Sequence, residues 1–154
     1  MQPTPAANEY LKTKVMTASP QELRLMLYDG AIKYCHQAMN AIEVEDLEES
    51  YSCLMRAQKI VLELSVSLNH EAATDLCDKL AALYTYIYRL LVDANLEKDG
   101  KYVAEALRLL KYEKKTWQML IDKCAFEGGS IHKVDQDAEE KDRPGMNHKL
   151  PKIA

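Results

Sequence analysis

Apolar residues along this chain recur at steps of three and four in four long runs, the spacing of amphipathic helices. The first run begins at Ser19-Pro20-Gln21-Glu22, where a hydroxyl at the N-cap, proline at N1 and glutamate at N3 form a capping-box start signal. It extends over residues 20–43 and carries two stripes. Leu23, Met26, Leu27, Ala31, Tyr34, Ala38, Ala41 and Ile42 form one, and Leu25, Tyr28, Ile32, Cys35 and Met39 the other. A helix apolar over so much of its circumference is either enclosed or shared between its own core and a partner.

Asp46 is the expected N-cap of a second helix, with Glu48 and Glu49 placed where negative charge suits the helix dipole. Leu47, Tyr51, Leu54, Ala57, Val61, Leu64 and Leu68 are its expected inward face, with Ile60 and Leu62 on the flank. A break is expected at Asn69-His70-Glu71. A third helix follows over about 73–98, with Leu76, Leu80, Leu83, Ile87, Leu91 and Ala94 as its stripe, and Asp99-Gly100 reads as a turn. The fourth helix shows Val103, Ala106, Leu107, Leu110, Trp117, Leu120, Ile121 and Cys124 on one face, interrupted by Glu113 and Lys114 as if at a partly wet end of a bundle.

Short connections force long helices to run antiparallel to their neighbours. The predicted fold is all-α: an antiparallel four-helix up-and-down bundle over residues 19–126. An N-terminal arm over 1–18, punctuated by Pro3 and Pro5, is expected to be extended or weakly helical. From 127 to 154 a Gly-Gly-Ser stretch, alternating charges and two prolines predict a flexible, disordered tail.

Composition narrows the function. Gly and Pro are scarce in the body, as long helices require, and the net charge of −4 without a Lys/Arg cluster speaks against nucleic acid. No run reaches the ~18 apolar residues of a membrane span, and the N-terminus lacks the features of a signal peptide, so a cytoplasmic location is expected. Cys35, Cys53, Cys77 and Cys124 show no CxxC spacing and read as reduced thiols in apolar surroundings.

Chemistry finds no foothold. A di-iron bundle needs Glu-x-x-His, but the residues three before His36, His70, His132 and His148 are Lys33, Ser67, Gly129 and Gly145. Haem attachment, phosphate-binding loops and a nucleophile elbow are also missing, so no metal, no cofactor and no enzymatic activity are expected. The aromatic set is more telling. Nine tyrosines against one Trp and one Phe favour rings with a polar tip, which suit a half-wet peptide-binding surface. Tyr28, Tyr84 and Tyr88 could line such a groove or edge the core, whereas Tyr86 is assigned to the core.

Tyr10, Val15, Thr17-Ala18-Ser19-Pro20, Glu22-Leu23 and Met26-Leu27-Tyr28-Asp29-Gly30-Ala31 together resemble the signature of the flagellar secretion chaperone family. Leu83-Tyr84, Tyr86-Ile87, Leu91, Ala94-Asn95 and Trp117 extend the resemblance in order. It implies a helical bundle that binds the C-terminal helical segment of flagellin, blocks premature polymerisation and aids type III export. Further partners implied are an export-gate component and an anti-sigma factor. On this resemblance Tyr10 and Val15 are lid residues and Asp29 joins the groove; the second stripe of the first helix adds Leu25 and Tyr28, and the tyrosine chemistry adds Tyr84 and Tyr88. Gly30 in mid-helix suggests close approach of a neighbour. Two departures stand out: residues 69–74 contain no Gly where the family often has one, and the tail exceeds the usual ending. The alternative reading is a generic helical adaptor for another amphipathic helix.

Overall fold

The computed structural model describes residues 4–68 and 74–141, so the expected break at Asn69 to Glu71 and the last residues of the tail lie outside the described residues. Among those described there are five helices and no strand: α1 (Pro5–Thr17), α2 (Pro20–Glu43), α3 (Leu47–Val66), α4 (Thr74–Glu97) and α5 (Gly100–Lys141). The chain divides into two units, residues 1–118 and 119–154.

In the first unit, α2, α3, α4 and the first part of α5 form the bundle. The start of α2 meets the end of α3, since Arg24 donates to Ser67, and the start of α3 meets the end of α4, where Lys98 lies 5.8 Å from the Tyr51 ring. Each helix therefore runs antiparallel to the next. The capping box at Ser19 is present in full, and the Asp46 side chain accepts from the Glu49 amide at 3.1 Å, as the sequence led us to expect.

Two short turns close one end of the bundle, which we call the turn end. Each contains a residue in left-handed conformation, Glu45 at φ 58° and Lys98 at φ 54°. The sequence suggested Gly100 for this role in the second turn, but Gly100 opens α5 and Lys98 carries the reversal. At the first turn the Asp46 amide reaches back to the Ala41 carbonyl at 2.8 Å, the six-to-one bond that satisfies a terminal carbonyl.

Tyr28, Ala31, Cys35, Ala38 and Ala41 form the buried line of α2, drawing on both predicted stripes, and the exposed residues reduce to a narrow polar line through Asp29, Lys33, His36 and Asn40. Gly30 faces α3, where a Cβ would come within 3.2 Å of Ile60 Cδ1. That is the close approach its mid-helix position suggested. In α4 the buried line runs through Cys77, Tyr84, Ile87, Leu91 and Ala94, so Leu76 is exposed rather than inward. Tyr86, assigned to the core from the sequence, is 49% exposed, because the burial of Tyr84 and Ile87 rotates it outward.

The N-terminal arm is helical. Thr4 accepts from the Ala7 amide at 3.2 Å and Pro5 occupies the first turn, so this proline starts a helix instead of breaking one. In the second unit the backbone stays helical from 119 through Lys141, including the Gly-Gly-Ser stretch that suggested the start of a flexible tail, and Met119, Leu120, Cys124 and Phe126 are exposed. The expected boundary after 126 therefore does not coincide with the end of α5.

Candidate functional site

Helix α3 buries one stripe in the core and carries a second apolar line toward α4. Tyr51, Met55, Gln58, Leu62 and Ser65 follow at three- and four-residue steps, and across the seam lie Leu96, Asn95, Val92, Tyr88 and Thr85 of α4. Two depressions lie along this seam. One of about 130 Å³ is lined by Val61, Leu62, Ser65, Tyr84, Thr85 and Tyr88, and the other, of about 270 Å³, sits nearer the turn end against Tyr51, Met55, Val92 and Leu96. Tyr51, Leu62, Tyr88 and Leu96 are exposed, so the seam presents large apolar side chains to solvent over ~16 Å, about three helical turns. Tyr51 is expected on the inward face and Leu62 on its flank. Their exposure places them on the groove instead.

The floor of the smaller depression is Tyr84, whose ring lines it while its hydroxyl points into the protein. There it hydrogen-bonds the hydroxyl of Tyr28, and it accepts from Arg24 Nη2 at 2.8 Å. Arg24 also donates through Nη1 to Ser67 Oγ at 3.1 Å and lies 4.5 Å over the Trp117 ring, a cation–π stack. Glu113, only 8% exposed, supplies the negative charge facing this cluster. Burial pushes its carboxyl above the ordinary glutamate range, with Arg24 pulling the other way. Burial also raises the Tyr28 phenol, reinforced by the charge and hydrogen bond of Tyr84. Side chains from α2, α4 and α5, with Ser67 at the C-cap of α3, thus meet at the end of the bundle away from the turns.

The residues singled out from the sequence separate into four places. Tyr84 and Tyr88 lie together on the groove, as floor and rim. Tyr28 is not a groove wall; it is fully buried, because its hydroxyl is satisfied by Tyr84 beneath the floor. Leu25 is half-buried on the flank of α2 that also carries Ile32, and Asp29 is exposed and paired with Lys114 Nζ at 2.5 Å. Tyr10 and Val15 stand on α1 at 70% and 42% exposure, and no residue of α1 is buried.

Sequence reasoning missed Arg24, Ser67 and Glu113. A signal existed for the last: residue 113 continues the line of Ala106 and Leu110 toward Trp117, and a charge on an apolar line calls for a buried partner. Among the described residues no group of three or more His, Cys, Asp or Glu is placed to hold a metal, and no helix is long and apolar enough to cross a membrane.

The family model described as flagellar protein FliS matches residues 3–124. This chain belongs to that family. The flagellar secretion chaperone FliS of Bacillus subtilis is 38% identical over 112 residues, which is 73% of this chain and 83% of that protein. The Campylobacter jejuni protein of the same name is 33% identical, covering 77% of this chain and 92% of its own length. The Salmonella typhimurium protein is 30% identical over 76% and 87%. A solved flagellar chaperone from bacteria superposes with a TM-score of 0.65 at 19% identity, over 77% of this chain and 96% of the other, which speaks to the fold. The resemblance read from residues 10–31 is thereby established at the level of the family, and the relatives' name describes a chaperone, a non-enzymatic role.

Proposed function

We propose that this protein is a cytoplasmic export chaperone that seats the amphipathic C-terminal helical segment of flagellin on the α3–α4 groove, hides the faces through which flagellin polymerises, and delivers it for type III export. The carrying observation is the exposed apolar seam of about three helical turns on a chain of the flagellar secretion chaperone family. An amphipathic client helix lays one residue stripe into such a seam, with anchors at i, i+3, i+4 and i+7. Tyrosine rims suit this task, since they give contact area at low rotamer cost and leave a hydroxyl for water or the client backbone.

In this reading Tyr84 and Tyr88 contact the client directly and Tyr28 acts from below. Leu25 and Asp29, on the α2 flank, offer a second contact for a client long enough to pass round the bundle. Tyr10 and Val15 belong to a lid: α1 is joined to α2 through Ala18, and its apolar residues have no core of their own. An export-gate component and an anti-sigma factor are the further partners considered for the exposed surfaces.

The test is calorimetric titration with the flagellin C-terminal segment from the same organism, followed by circular dichroism. Saturable binding with a gain of helix supports the reading, because a client that folds as it binds carries that signature. Absence of binding at high micromolar concentration removes flagellin as the client and favours another amphipathic helix.

A further inference from the structure

We infer that Arg24 is a positioning residue for the α3–α4 groove: it holds Tyr84 as the floor by its hydroxyl, braced by Ser67, Trp117 and the facing Glu113, and touches no client itself. This rests on the α3–α4 groove being the client seat. Three observations carry it. Arg24 reaches the groove only through Tyr84, whose hydroxyl accepts from Nη2 at 2.8 Å while the ring lines the depression. Its other arm is fixed by Ser67 Oγ at 3.1 Å, which itself donates to the Leu64 carbonyl at 2.9 Å, so the fork is anchored to the end of α3. Its guanidinium, whose buried Nε has no hydrogen-bond partner among the described residues, lies 4.5 Å over the Trp117 ring and 5.7 Å over the Tyr84 ring. A planar, two-armed cation is needed for all of these at once, and lysine cannot supply it.

Glu113 faces Arg24 as a buried negative charge, and the attraction of Arg24 offsets part of the cost of burying it. The groove floor is therefore set by residues of α2 and α5 that do not line it.

The experiment compares wild type with Arg24→Met, Arg24→Lys and Tyr84→Phe, each studied below its own melting temperature. Without client, ring-selective NMR of Tyr84 should show a moved and more rapidly flipping ring in Arg24→Met and Arg24→Lys. With the flagellin C-terminal segment as probe, affinity should fall about tenfold in Arg24→Met and severalfold in Tyr84→Phe. Arg24→Lys should regain thermal stability without regaining affinity, and emission of the single Trp117 should respond to client in wild type and lose that response in Arg24→Met. Unchanged Tyr84 signals, or undiminished affinity in Arg24→Met, would overturn the assignment. If Arg24→Met does not fold, Tyr84→Phe with wild-type affinity overturns it. A wild-type protein that ignores the segment defeats the flagellin reading alone, and the client-free Tyr84 signals then decide the role of Arg24.

Discussion

The two ends of the bundle solve the same packing problem with different side chains. At the turn end the core is built from small and aliphatic residues, among them Cys35, Ala38, Cys53, Ala57, Ala94 and Ala106, closed by Leu54, Ile87, Leu91 and Val103. Its buried Ser50 donates to the Leu47 carbonyl of its own helix, and one weak thiol bond, from Cys53 Sγ to Gln37 Oε1 at 3.6 Å, crosses to α2. At the other end residues of three helices meet: Tyr28, Tyr84 and Arg24 are joined by hydrogen bonds, Arg24 Nε has no hydrogen-bond partner among the described residues, and Glu113 faces Arg24 as a buried charge. Alanine-rich packing brings helices close and rigid. A polar cluster instead ties the position of each member to the others, which suits an end where a surface must be shaped.

The contrast can be broken first at the turn end. Replacing Leu54 by Ala removes a fully buried side chain among residues that cannot move to fill the space, and should cost about 2–5 kcal/mol in urea denaturation with the Tyr84 environment unchanged. At the cluster end, Arg24→Met leaves Glu113 buried without its cation and should cost about 1–3 kcal/mol. Equal losses of client affinity from both substitutions would erase the functional distinction between the ends.

Acidity sharpens the comparison. Because burial raises the Glu113 carboxyl above its ordinary value of 4.5, the folded protein holds that proton more tightly than the unfolded chain. The contribution of this group is most favourable below about 4.5 and declines as pH rises through the folded value. Denaturation midpoints of Glu113→Gln against wild type should therefore show a flatter pH dependence above 4.5, and Arg24→Met a steeper one. Identical profiles for all three would mean that Glu113 is solvated.

The thiols probe both ends and the second unit. Burial pushes Cys35 up to about 12 and Cys53 to about 11, the latter helped by the Glu49 carboxylate. Brief alkylation of the native protein followed by mass spectrometry should mark the exposed Cys124 ahead of Cys35, Cys53 and Cys77. Comparable labelling of Cys35 would show that the turn-end core opens readily. The smallest effect is expected at the turn itself. Glu45→Gly relieves a left-handed residue and should stabilise by up to about 1 kcal/mol, read as a small rise in Tm.

Much of this fold was legible in the sequence because its signals are local. The Ser19 capping box, the Asp46 cap and the three-four spacing depend on residues within one turn of each other, and the structure follows them. What escaped depends on rotation and distance. In α4 the side chains at 76 and 77 are both apolar, and only packing against α3 decides that Cys77 turns inward and Leu76 outward. Tyr84 and Tyr88 were legible as groove candidates from their chemistry, but the burial of Tyr28 required knowing that Tyr84, 56 positions away, would meet its hydroxyl. At the N-terminus the Thr4-Pro5 pair repeats the logic of Ser19-Pro20, and counting Pro3 and Pro5 as breakers obscured it.

Ala18 has a mechanical consequence. Its backbone is extended, at φ −74° and ψ 144°, between a helix that ends at Thr17 and one whose first amides are already satisfied by Ser19 and Glu22. A torque applied to α1 is therefore spent on rotation about the bonds of Ala18 before any hydrogen bond of α2 is loaded. The arm can change its direction at Ala18 while the capping box keeps the start of α2 closed.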